Sequence, residues 1–466
     1  MLKIECEEKG SVFSNTRGLG SDGACGWGVR RFCLTFGRGI VYNVKKREGN
    51  IIMLNEREHL RALARKYMEY ANLPIMKEKE NRWYAHNRLE GTPMVLMEYH
   101  TFAQDFMDPL LCTDETNRRL ESILVGAINN FELIGDDKVI PPYIPLPMDI
   151  WFTAFDLPVK SGRTTEKDGS THAFPQHYEH PITDLGEQYD LIKKSTYGYN
   201  KESTMKTYER FSEMVGDIVP VKLTNDSLNW HFALSIRFIP LMGMENYMYA
   251  MYDYPELVKE VYDRIATDGL EFVDWQIKND LLPLNNGNNC MGSGSYCFSD
   301  ELPAPGYDGV TRKQDLWMHM NSQETVSLSP DMYRDIVFPA YKKVADAFGY
   351  IYYGCCEPAD PIWDCVSSIE NMRKVSVSAW ANEEFMGNVL RGSKTIYSRK
   401  PSPNFLGVDE KFDEDGFRAH IAHTVKMAQG CKLEIIFRDV YKLCGDRDRA
   451  GKAMKITREE IEKGWK

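Results

Sequence analysis

The sequence predicts an α/β protein and, more specifically, a (β/α)8 TIM barrel with an N-terminal helical extension and a long insertion after its first strand. From residue 90 onward, short runs rich in β-branched or aromatic residues alternate with amphipathic helices, the pattern of βα units around a parallel sheet. Most of these runs are almost continuously apolar, which is typical of strands buried on both faces. The candidate strands are residues 92–99, 217–223, 281–286, 324–329, 349–354, 374–379, 394–399 and 432–437.

The helices between these runs are recognised by their boundaries. Ser329 precedes Pro330 at the start of one helical pattern, and Gly349 stands at its end. A capping serine, a proline in the first turn and a glycine after the last turn are all favourable at these positions. A second long pattern begins at Pro255 in the same way, and an amphipathic pattern follows Met53.

The chain divides into two parts of unlike composition. Residues 1–52 are rich in Gly and Arg and show no regular period, so we expect an atypical N-terminal extension that contributes little to function. Residues 53–466 form the predicted barrel. The gap between the first two candidate strands, about 100–216, is too long for one crossover connection. We therefore expect an insertion there, helical at first and sheet-like afterwards.

Composition and charge exclude several classes of function. The formal net charge of −11 argues against a nucleic-acid surface, which needs clustered Lys and Arg. No apolar run approaches the roughly 20 residues that span a bilayer, and the N-terminal segment is charged where a signal peptide is apolar. We therefore expect a cytoplasmic protein that binds neither nucleic acid nor membrane, with mostly reduced cysteines.

Reactive residues follow many of the candidate strands. In a parallel barrel the active site lies at the carboxyl ends of the strands, so these residues are the first candidates for a site. In chain order they are Glu98 and His100; Asn288 in the loop NNGNNCMGSGS; Cys355, Cys356 and Glu357; Ser378 and Trp380; Arg399 and Lys400; and Arg438 and Asp439.

Two of these pairs are open to two interpretations each. Cys355 and Cys356 could be small apolar side chains at a strand end. Alternatively one of them serves the site, because adjacent strand residues face opposite sides of a sheet. Arg399 and Lys400 could form a solvated turn, or they could hold a substrate carboxylate or phosphate, since the loops after strands 7 and 8 of such barrels bind anions.

From residue 251 to the C-terminus the chain resembles the uroporphyrinogen decarboxylase superfamily. This (β/α)8 group includes the decarboxylase, corrinoid-protein-dependent methyltransferases and, more distantly, cobalamin-independent methionine synthase. The decarboxylase branch carries an arginine-rich motif that binds the acidic porphyrinogen, and the corresponding segment NRLEGTPMVLMEYHTFAQDF lacks it. The resemblance is therefore closer to the methyltransferase branch.

The methyltransferase branch implies a zinc site. Its motif is His-x-Cys at one strand end with a second Cys before the last strand, and zinc favours such ligands. Cys356 and Cys431 stand at the spacing of the two cysteines, whereas Gly354 occupies the place of the histidine. We expect Glu357 to supply the missing ligand.

These observations predict a methyltransferase that moves a methyl group between a small methylated compound, such as an aryl methyl ether, and a corrinoid protein, with assistance from zinc. Demethylation of the compound is then the forward reaction. The expected catalytic residues are Glu98, His100 and Glu357; the substrate-binding residues Asn288, Tyr353, Trp380, Arg399 and Lys400; and the zinc ligands Cys356, Cys431 and Glu357.

Two other functions remain open at this point. One is a metal-free decarboxylase or lyase acting on a small carboxylic acid, with Arg399, Arg438 and Asp439 at its centre. The other is a non-catalytic barrel that binds a corrinoid or tetrapyrrole.

Overall fold

The structure, a computed structural model, describes the backbone of residues 31–36, 40–47, 50–53, 163 and 176 and the whole of residues 55–162 and 177–466. The chain forms two compact units, Met1–Asn55 and Glu56–Lys466. In the first unit, three strands form an antiparallel sheet in the order β1-β2-β3. These strands are β1 (Arg31–Phe36), β2 (Ile40–Arg47) and β3 (Asn50–Met53).

The second unit is a mixed α/β structure built on parallel strands. Six of them form one sheet, in the order β13-β14-β15-β16-β17-β4, which we call the main sheet. Two more, β5 and β10, pair in parallel with each other. The strands are β4 (Met94–Met97), β5 (Ile144–Pro147), β10 (Val221–Thr224), β13 (Trp317–Met320), β14 (Tyr350–Tyr353), β15 (Met372–Val377), β16 (Ile396–Arg399) and β17 (Lys432–Phe437).

Three pairs of short antiparallel strands complete the β-structure of this unit, and helices surround the main sheet. The pairs are β6 (Ile150–Thr153) with β9 (Thr196–Tyr199), β7 (Ser161–Arg163) with β8 (Gln176–Tyr178), and the hairpin of β11 (Cys290–Met291) with β12 (Ser295–Tyr296). The α-helices are α1 (Glu56–Ala71), α2 (Pro74–Asn87), α3 (Ala103–Phe106), α4 (Glu115–Asn129), α5 (Lys201–Val215), α6 (Leu234–Asp253), α7 (Pro255–Lys278), α8 (Pro330–Met332), α9 (Phe338–Ala345), α10 (Trp363–Val366), α11 (Glu383–Leu390), α12 (Asn404–Gly407), α13 (Glu414–Met427) and α14 (Arg449–Gly464). Within the described residues, no helix is long and apolar enough to cross a membrane.

Much of the expected organisation is confirmed. Six of the candidate strands coincide with β4, β10, β14, β15, β16 and β17. Ser329 accepts a hydrogen bond from the backbone N–H of Met332 and so caps α8, and α7 begins at Pro255. The segment 100–216, expected as an insertion, also contributes β5, the parallel partner of β10.

Two candidate strands are wrong. Residues 281–286 have no strand structure, and residues 323–325 form a short 3-10 helix; the strand in this region is β13, with the sequence WMHM. The β-branched residues of 324–329 favour a strand locally, but Val326 is exposed and packs against nothing that would stabilise one. Burial decides the strand instead, because all four residues of β13 are buried.

Side chains cap both edges of the main sheet. At the β13 edge, the amide of Asn285 accepts from the N–H of Trp317 and donates to its carbonyl, both at 2.9 Å. At the β4 edge, the N–H of Val95 donates to Asp137 Oδ2 at 2.7 Å and that of Met97 to Asp136 Oδ2 at 2.9 Å. Among the described residues, backbone hydrogen bonds therefore do not close the strands into a ring, and the expected closed barrel is not formed in that sense.

The two faces of the main sheet differ in polarity. One face packs against the helices and is apolar, with Met318, Ile351 and Val375 in the main core. The opposite face, which we call the inner face, carries the polar residues His319, Tyr352, Lys374, Ser376, Ser398 and Glu434, all buried. Because the strand sequences are buried on both sides, the inner face has to satisfy its polar groups internally.

Glu434 is the centre of the inner face. Its carboxylate lies 3.0 Å from Lys374 Nζ and 3.2 Å from His86 Nε2, and it accepts a hydrogen bond from Ser295 Oγ at 2.8 Å. Burial opposes ionisation, but the charge of Lys374 and the hydrogen bond to His86 hold the pKa of Glu434 well below its usual range. The buried carboxylate is therefore ionised and paired.

Removing the carboxylate that caps β4 should destabilise the fold. Asp137 is buried, accepts from Val95, and pairs with Arg82 and Arg458 at 3.0 and 3.1 Å. Asp137→Ala leaves a strand N–H and two arginines without their acceptor, so we expect urea denaturation to show a loss of about 3 kcal/mol in the free energy of unfolding.

The control for this prediction is an exposed pair. Asp217 binds Arg61 at 2.6 Å at the protein surface, where such pairs contribute little. Asp217→Ala is expected to leave the denaturation midpoint nearly unchanged. Equal effects of the two substitutions would show that the edge cap does not stabilise β4.

Candidate active site

Charged residues converge at the carboxyl ends of β4, β14 and β17, which we call the mouth. Arg438 and Asp439 follow β17, and Glu98 follows β4 on the neighbouring strand. Arg438 Nε lies 3.5 Å from Glu98 Oε2 and 3.5 Å from Asp439 Oδ2. The guanidinium carbon of Arg438 is 5.5 Å from the centre of the Trp230 ring. The mouth therefore places one buried cation between two carboxylates and an aromatic ring.

Both cysteines after β14 also reach the mouth. Gly354 has φ of 91°, a left-handed conformation that turns the chain out of the strand. The Sγ atoms of Cys355 and Cys356 consequently lie 3.4 Å apart, and Cys356 Sγ lies 3.3 Å from Asp439 Oδ2. The expectation that only one of the two would face the mouth is wrong, because strand alternation ends at Gly354.

The two thiols share their protons unequally. A hydrogen bond from Cys356 and the positive charge of Arg438 lower the pKa of Cys355 against the opposing effect of burial. The same hydrogen bond and burial raise the pKa of Cys356. Of the two thiols, Cys355 is therefore the one that ionises first.

Several buried polar atoms at the mouth have no hydrogen-bond partner among the described residues. They are Nε and Nη1 of Arg438, Oε2 of Glu98 and Nδ1 of His319. Burial lowers the pKa of His319 to about 3, so its ring is neutral. Buried polar groups in native proteins are nearly always paired, and a cluster of unpaired ones at a strand-end site is typical of a place where a ligand binds.

A cavity of about 340 Å³ lies beside the mouth. Glu98 at the mouth is followed directly by Tyr99 and His100, which line the cavity, so mouth and cavity adjoin. Most of the lining is aromatic or aliphatic, as in small-molecule sites. The lining residues are Tyr67, Tyr99, His100, Ser122, Ile123, Ala127, Asn130, Lys138, Val139, Ile140, Pro141, Pro145, Cys290, Gly294 and Tyr296.

Some of the residues expected at the site are brought together. Glu98 and Cys356 lie at the mouth, and His100 lines the cavity. Desolvation and the nearby charge of Lys138 lower the pKa of His100 to about 4, so this ring is neutral at pH 7. Asn288 donates to the carbonyl of Val139 at 3.1 Å and so supports the cavity wall from outside.

Tyr353, Arg399 and Lys400 lie elsewhere. Tyr353 faces the helices and shares hydrogen bonds of 2.8 Å with Ser322 and Tyr333. Arg399 is buried and pairs with Glu383 at 2.6 Å. Neither residue faces the mouth, because both side chains point to the face of the sheet that packs against the helices. This direction corrects the expectation that they bind substrate.

Lys400 is buried on the inner face of the main sheet. Its ammonium donates to Tyr352 Oη at 2.5 Å and to Ser398 Oγ at 2.7 Å. Burial lowers the pKa of Lys400 to about 7. It is therefore an internal group rather than the anion anchor that the sequence predicts. Trp380, in contrast, is 72% exposed on the loop after β15.

The residues expected to hold zinc do not meet. Cys356 contacts Asp439 beyond the end of β17, whereas Cys431 precedes the start of β17 and donates to the carbonyl of Gly387. A six-residue strand spans about 20 Å, so the two sulfurs lie near opposite ends of β17. Among the described residues, no group of three His, Cys, Asp or Glu side chains is arranged to hold a metal ion. The donor set does not fit zinc.

Glu357 has a different role from the expected one. Its carboxylate accepts from the backbone N–H groups of Ser322 at 2.9 Å and Cys355 at 3.0 Å, so it fixes the cysteine loop against the loop after β13. Burial, together with the nearby Cys355, raises the pKa of Glu357 to about 8. It is a positioning residue beneath the mouth.

Lys138, Asn130, Trp230 and His319 were not identified as site residues from the sequence. Lys138 and Asn130 stand far from any candidate strand in the expected insertion. His319 was missed because the candidate strand was placed at 324–329, after this residue. Alternation along WMHM would have set His319 on the face opposite to the two methionines.

Comparisons with known proteins add little. No protein-family model matches the chain, and no curated protein does. Among solved structures, a methyltransferase from Methanosarcina mazei is similar at 12% sequence identity, with a TM-score of 0.45. The similarity covers 83% of this chain and 98% of that one. It is too low to assign a function, so the proposal below rests on the site itself.

The thiolate of Cys355 can be measured directly. We expect the absorbance at 240 nm, corrected by subtracting that of Cys355→Ser, to titrate with a midpoint near pH 7. Arg438→Met removes a stabilising positive charge and should move the midpoint upward. A midpoint near 8.5, the value for a free thiol, would contradict the shared proton.

Glu357 should leave a signature in the pH dependence of stability. Its pKa is raised from 4.5 to about 8 on folding, so the folded state keeps a proton that the unfolded state loses. The free energy of unfolding contributed by this group therefore falls as the pH rises from about 4.5 to about 8. We expect the stability of the wild type relative to Glu357→Gln to fall by roughly 2–4 kcal/mol across this range.

The exposed Glu414→Gln variant, at the start of α13, serves as the matched control in the same denaturation series. A difference between wild type and Glu357→Gln that does not change with pH would show that Glu357 is ionised in the folded protein.

Proposed function

We propose that this chain is a methyltransferase that moves a methyl group between a small methylated compound, such as an aryl methyl ether, and a corrinoid carried by a separate protein. The observation that carries the proposal is Arg438, a largely buried cation at the mouth whose Nη1 has no hydrogen-bond partner among the described residues and whose Nε faces Glu98 and Asp439 at 3.5 Å without a hydrogen bond. Removing methyl from an ether leaves the bonding electrons on oxygen. A preorganised cation with free N–H groups stabilises that developing charge.

The cavity supplies the place for the methyl donor. Its aromatic and aliphatic lining, including Tyr99, Tyr296 and Ile140, suits a flat apolar ring. A ring held there would direct its ether oxygen towards the adjoining mouth. In the proposed reaction the bond between the methyl carbon and the ether oxygen breaks, the methyl carbon passes to the acceptor, and the oxygen takes hydrogen bonds from Arg438.

Proton transfer to the product oxygen falls to a carboxylate beside the cation. Glu98 Oε2 lies 3.5 Å from Arg438 Nε and has no hydrogen-bond partner among the described residues. A carboxylate in this position can take a proton from water and pass it to the oxygen that leaves, which yields the neutral phenol. The neutral ring of His100 in the cavity can donate a hydrogen bond to the same oxygen without adding charge.

An exposed apolar rim supports docking of a partner protein above the mouth. Loops that follow the carboxyl ends of β13, β15, β16 and β17 each expose one large apolar side chain: Val326, Trp380, Val408 and Tyr441. A partner protein that docks above the mouth would cover these side chains. The corrinoid of the partner would supply the nucleophile that accepts the methyl group. Since the donor set does not fit zinc, no step depends on a metal of this chain.

A second function draws on the same arginine. The free N–H groups of Arg438 also suit a substrate carboxylate, which favours a decarboxylase or lyase acting on a small acid. Of the other residues expected for that reaction, Arg399 is paired with Glu383 away from the mouth, whereas Asp439 remains beside Arg438. The two reactions differ in product, because only the second releases carbon dioxide.

The test is a methyl-transfer assay. The protein is incubated with a corrinoid protein in the Co(I) state and a panel of methyl ethers, amines and thiols, and methyl-Co(III) is followed by its absorbance. We expect aryl methyl ethers to react. Arg438→Met should lower kcat about 100-fold, because one electrostatic donor is lost at the reacting oxygen.

Two variants make this result specific. Arg438→Lys keeps the positive charge and should retain more activity than Arg438→Met. Arg334→Met removes an exposed arginine that pairs with Asp331 and Asp335 and should leave kcat unchanged. Release of carbon dioxide from small acids without any methyl-Co(III) would replace the first function by the second.

A further inference from the structure

The electrostatics of the cavity identify the chemical class of its ligand. Of the described residues that line it, Lys138 is the only charged one, since no aspartate, glutamate or arginine is among them. His100 is neutral because its pKa is lowered to about 4. A largely apolar cavity with one positive charge favours an anionic group on an otherwise apolar ligand.

The ammonium of Lys138 is held but not fully used. It donates one hydrogen bond to the carbonyl of Met97 and lies 4.5 Å from the centre of the Tyr99 ring. An ammonium has three N–H groups, so two remain for a ligand. Both contacts fix the side chain in place at the cavity wall.

Asp136 pairs with this charge from outside the cavity. Its carboxylate lies 3.8 Å from Lys138 Nζ, an ion pair without a hydrogen bond, and it accepts from the backbone N–H groups of Met97 and Lys138 at 2.9 and 3.1 Å. Asp136 is not part of the cavity lining. The pair therefore offsets part of the charge of Lys138 but leaves its remaining N–H groups to a ligand in the cavity.

Asn130 adds an independent observation. It lines the cavity, is 4% exposed, and its side-chain Nδ2 has no hydrogen-bond partner among the described residues. A buried amide donor without an acceptor costs free energy that a bound oxygen would recover. A cation and an unused amide donor in one cavity are the groups that a carboxylate accepts from.

We propose that the cavity selects a methylated aromatic compound that carries a carboxylate, held by Lys138 and Asn130, with its ring among the aromatic lining. This inference rests on the proposed function for the methyl group, and it goes further by naming the acid as the feature that is recognised. The carboxylate binds at Lys138, so the ether oxygen on the other side of the ring is left for Arg438. The selectivity lies in binding, before any bond is broken.

Binding without the corrinoid protein tests the inference. Isothermal titration calorimetry compares 4-methoxybenzoate with 4-methoxybenzyl alcohol, which has a similar size and no charge. We expect the acid to bind at least about 10-fold more tightly, the range of a charge-assisted hydrogen bond. Lys138→Met should remove this preference, and Asn130→Asp should reverse it by placing a carboxylate against the ligand.

Lys77→Met is the matched control, because this exposed lysine on α2 pairs with Glu80 outside the cavity, and the preference should persist. Equal binding of acid and alcohol, or no binding of either, overturns the inference. Neither result decides the proposed function, which the methyl-transfer assay tests with uncharged ethers. If the wild type binds the acid tightly and Lys138→Met does not, the inference is supported. If the wild type also transfers no methyl group, the same protein contradicts the proposed function.

Discussion

The buried carboxylate of Glu434 is the interaction on which the site depends. An ionised group inside a sheet is stable only when it is paired, and Glu434 has Lys374, His86 and Ser295 as partners. Ser295 belongs to the β11–β12 hairpin, and Lys374 also donates to Ser295 and to the carbonyl of Tyr296. The pair therefore ties this hairpin to the inner face of the main sheet. The hairpin supplies Cys290, Gly294 and Tyr296 to the cavity. The ion pair between Glu434 and Lys374 therefore holds these cavity residues in place.

The edges of the main sheet serve the site in a similar way. A strand edge needs partners for its N–H and C=O groups. At β4 these partners come from Asp136 and Asp137, whose loop continues directly into Lys138 and Val139 in the cavity wall. A neighbouring strand would have satisfied β4 equally well, but it would have occupied the space of the cavity. The same loop thus caps the open edge of the sheet with Asp136 and Asp137 and places Lys138 in the cavity wall.

The sequence predicted the parallel strands better than the side chains that serve the site. Continuous apolar runs identify buried strands such as β14 and β17, yet they have no period of two and so do not show which residues face inward. For this reason Arg399 and Tyr353 were assigned to the site although they face the helices, whereas Glu98 and Cys356, which follow the strand ends, lie at the mouth. The spacing of Cys356 and Cys431 matched a motif, but a distance along the chain does not tell which end of a strand a residue occupies. Lys138 and Asn130 depend on tertiary contacts that no local pattern records.

Gly292 sets the closest approach between the hairpin and the main sheet. It has φ of 45°, and a Cβ atom at this position would lie 2.0 Å from the ring of His319. The glycine backbone of the hairpin therefore packs directly on the ring of His319, which donates through Nε2 to the carbonyl of Gly354 at 3.1 Å. Ser293, the next residue, donates to the same carbonyl at 2.9 Å. The ring of His319 thus sets the distance between the main sheet and the β11–β12 hairpin, which lines the cavity. A side chain added at Gly292 would push the hairpin away from the sheet and separate the cavity from the thiols.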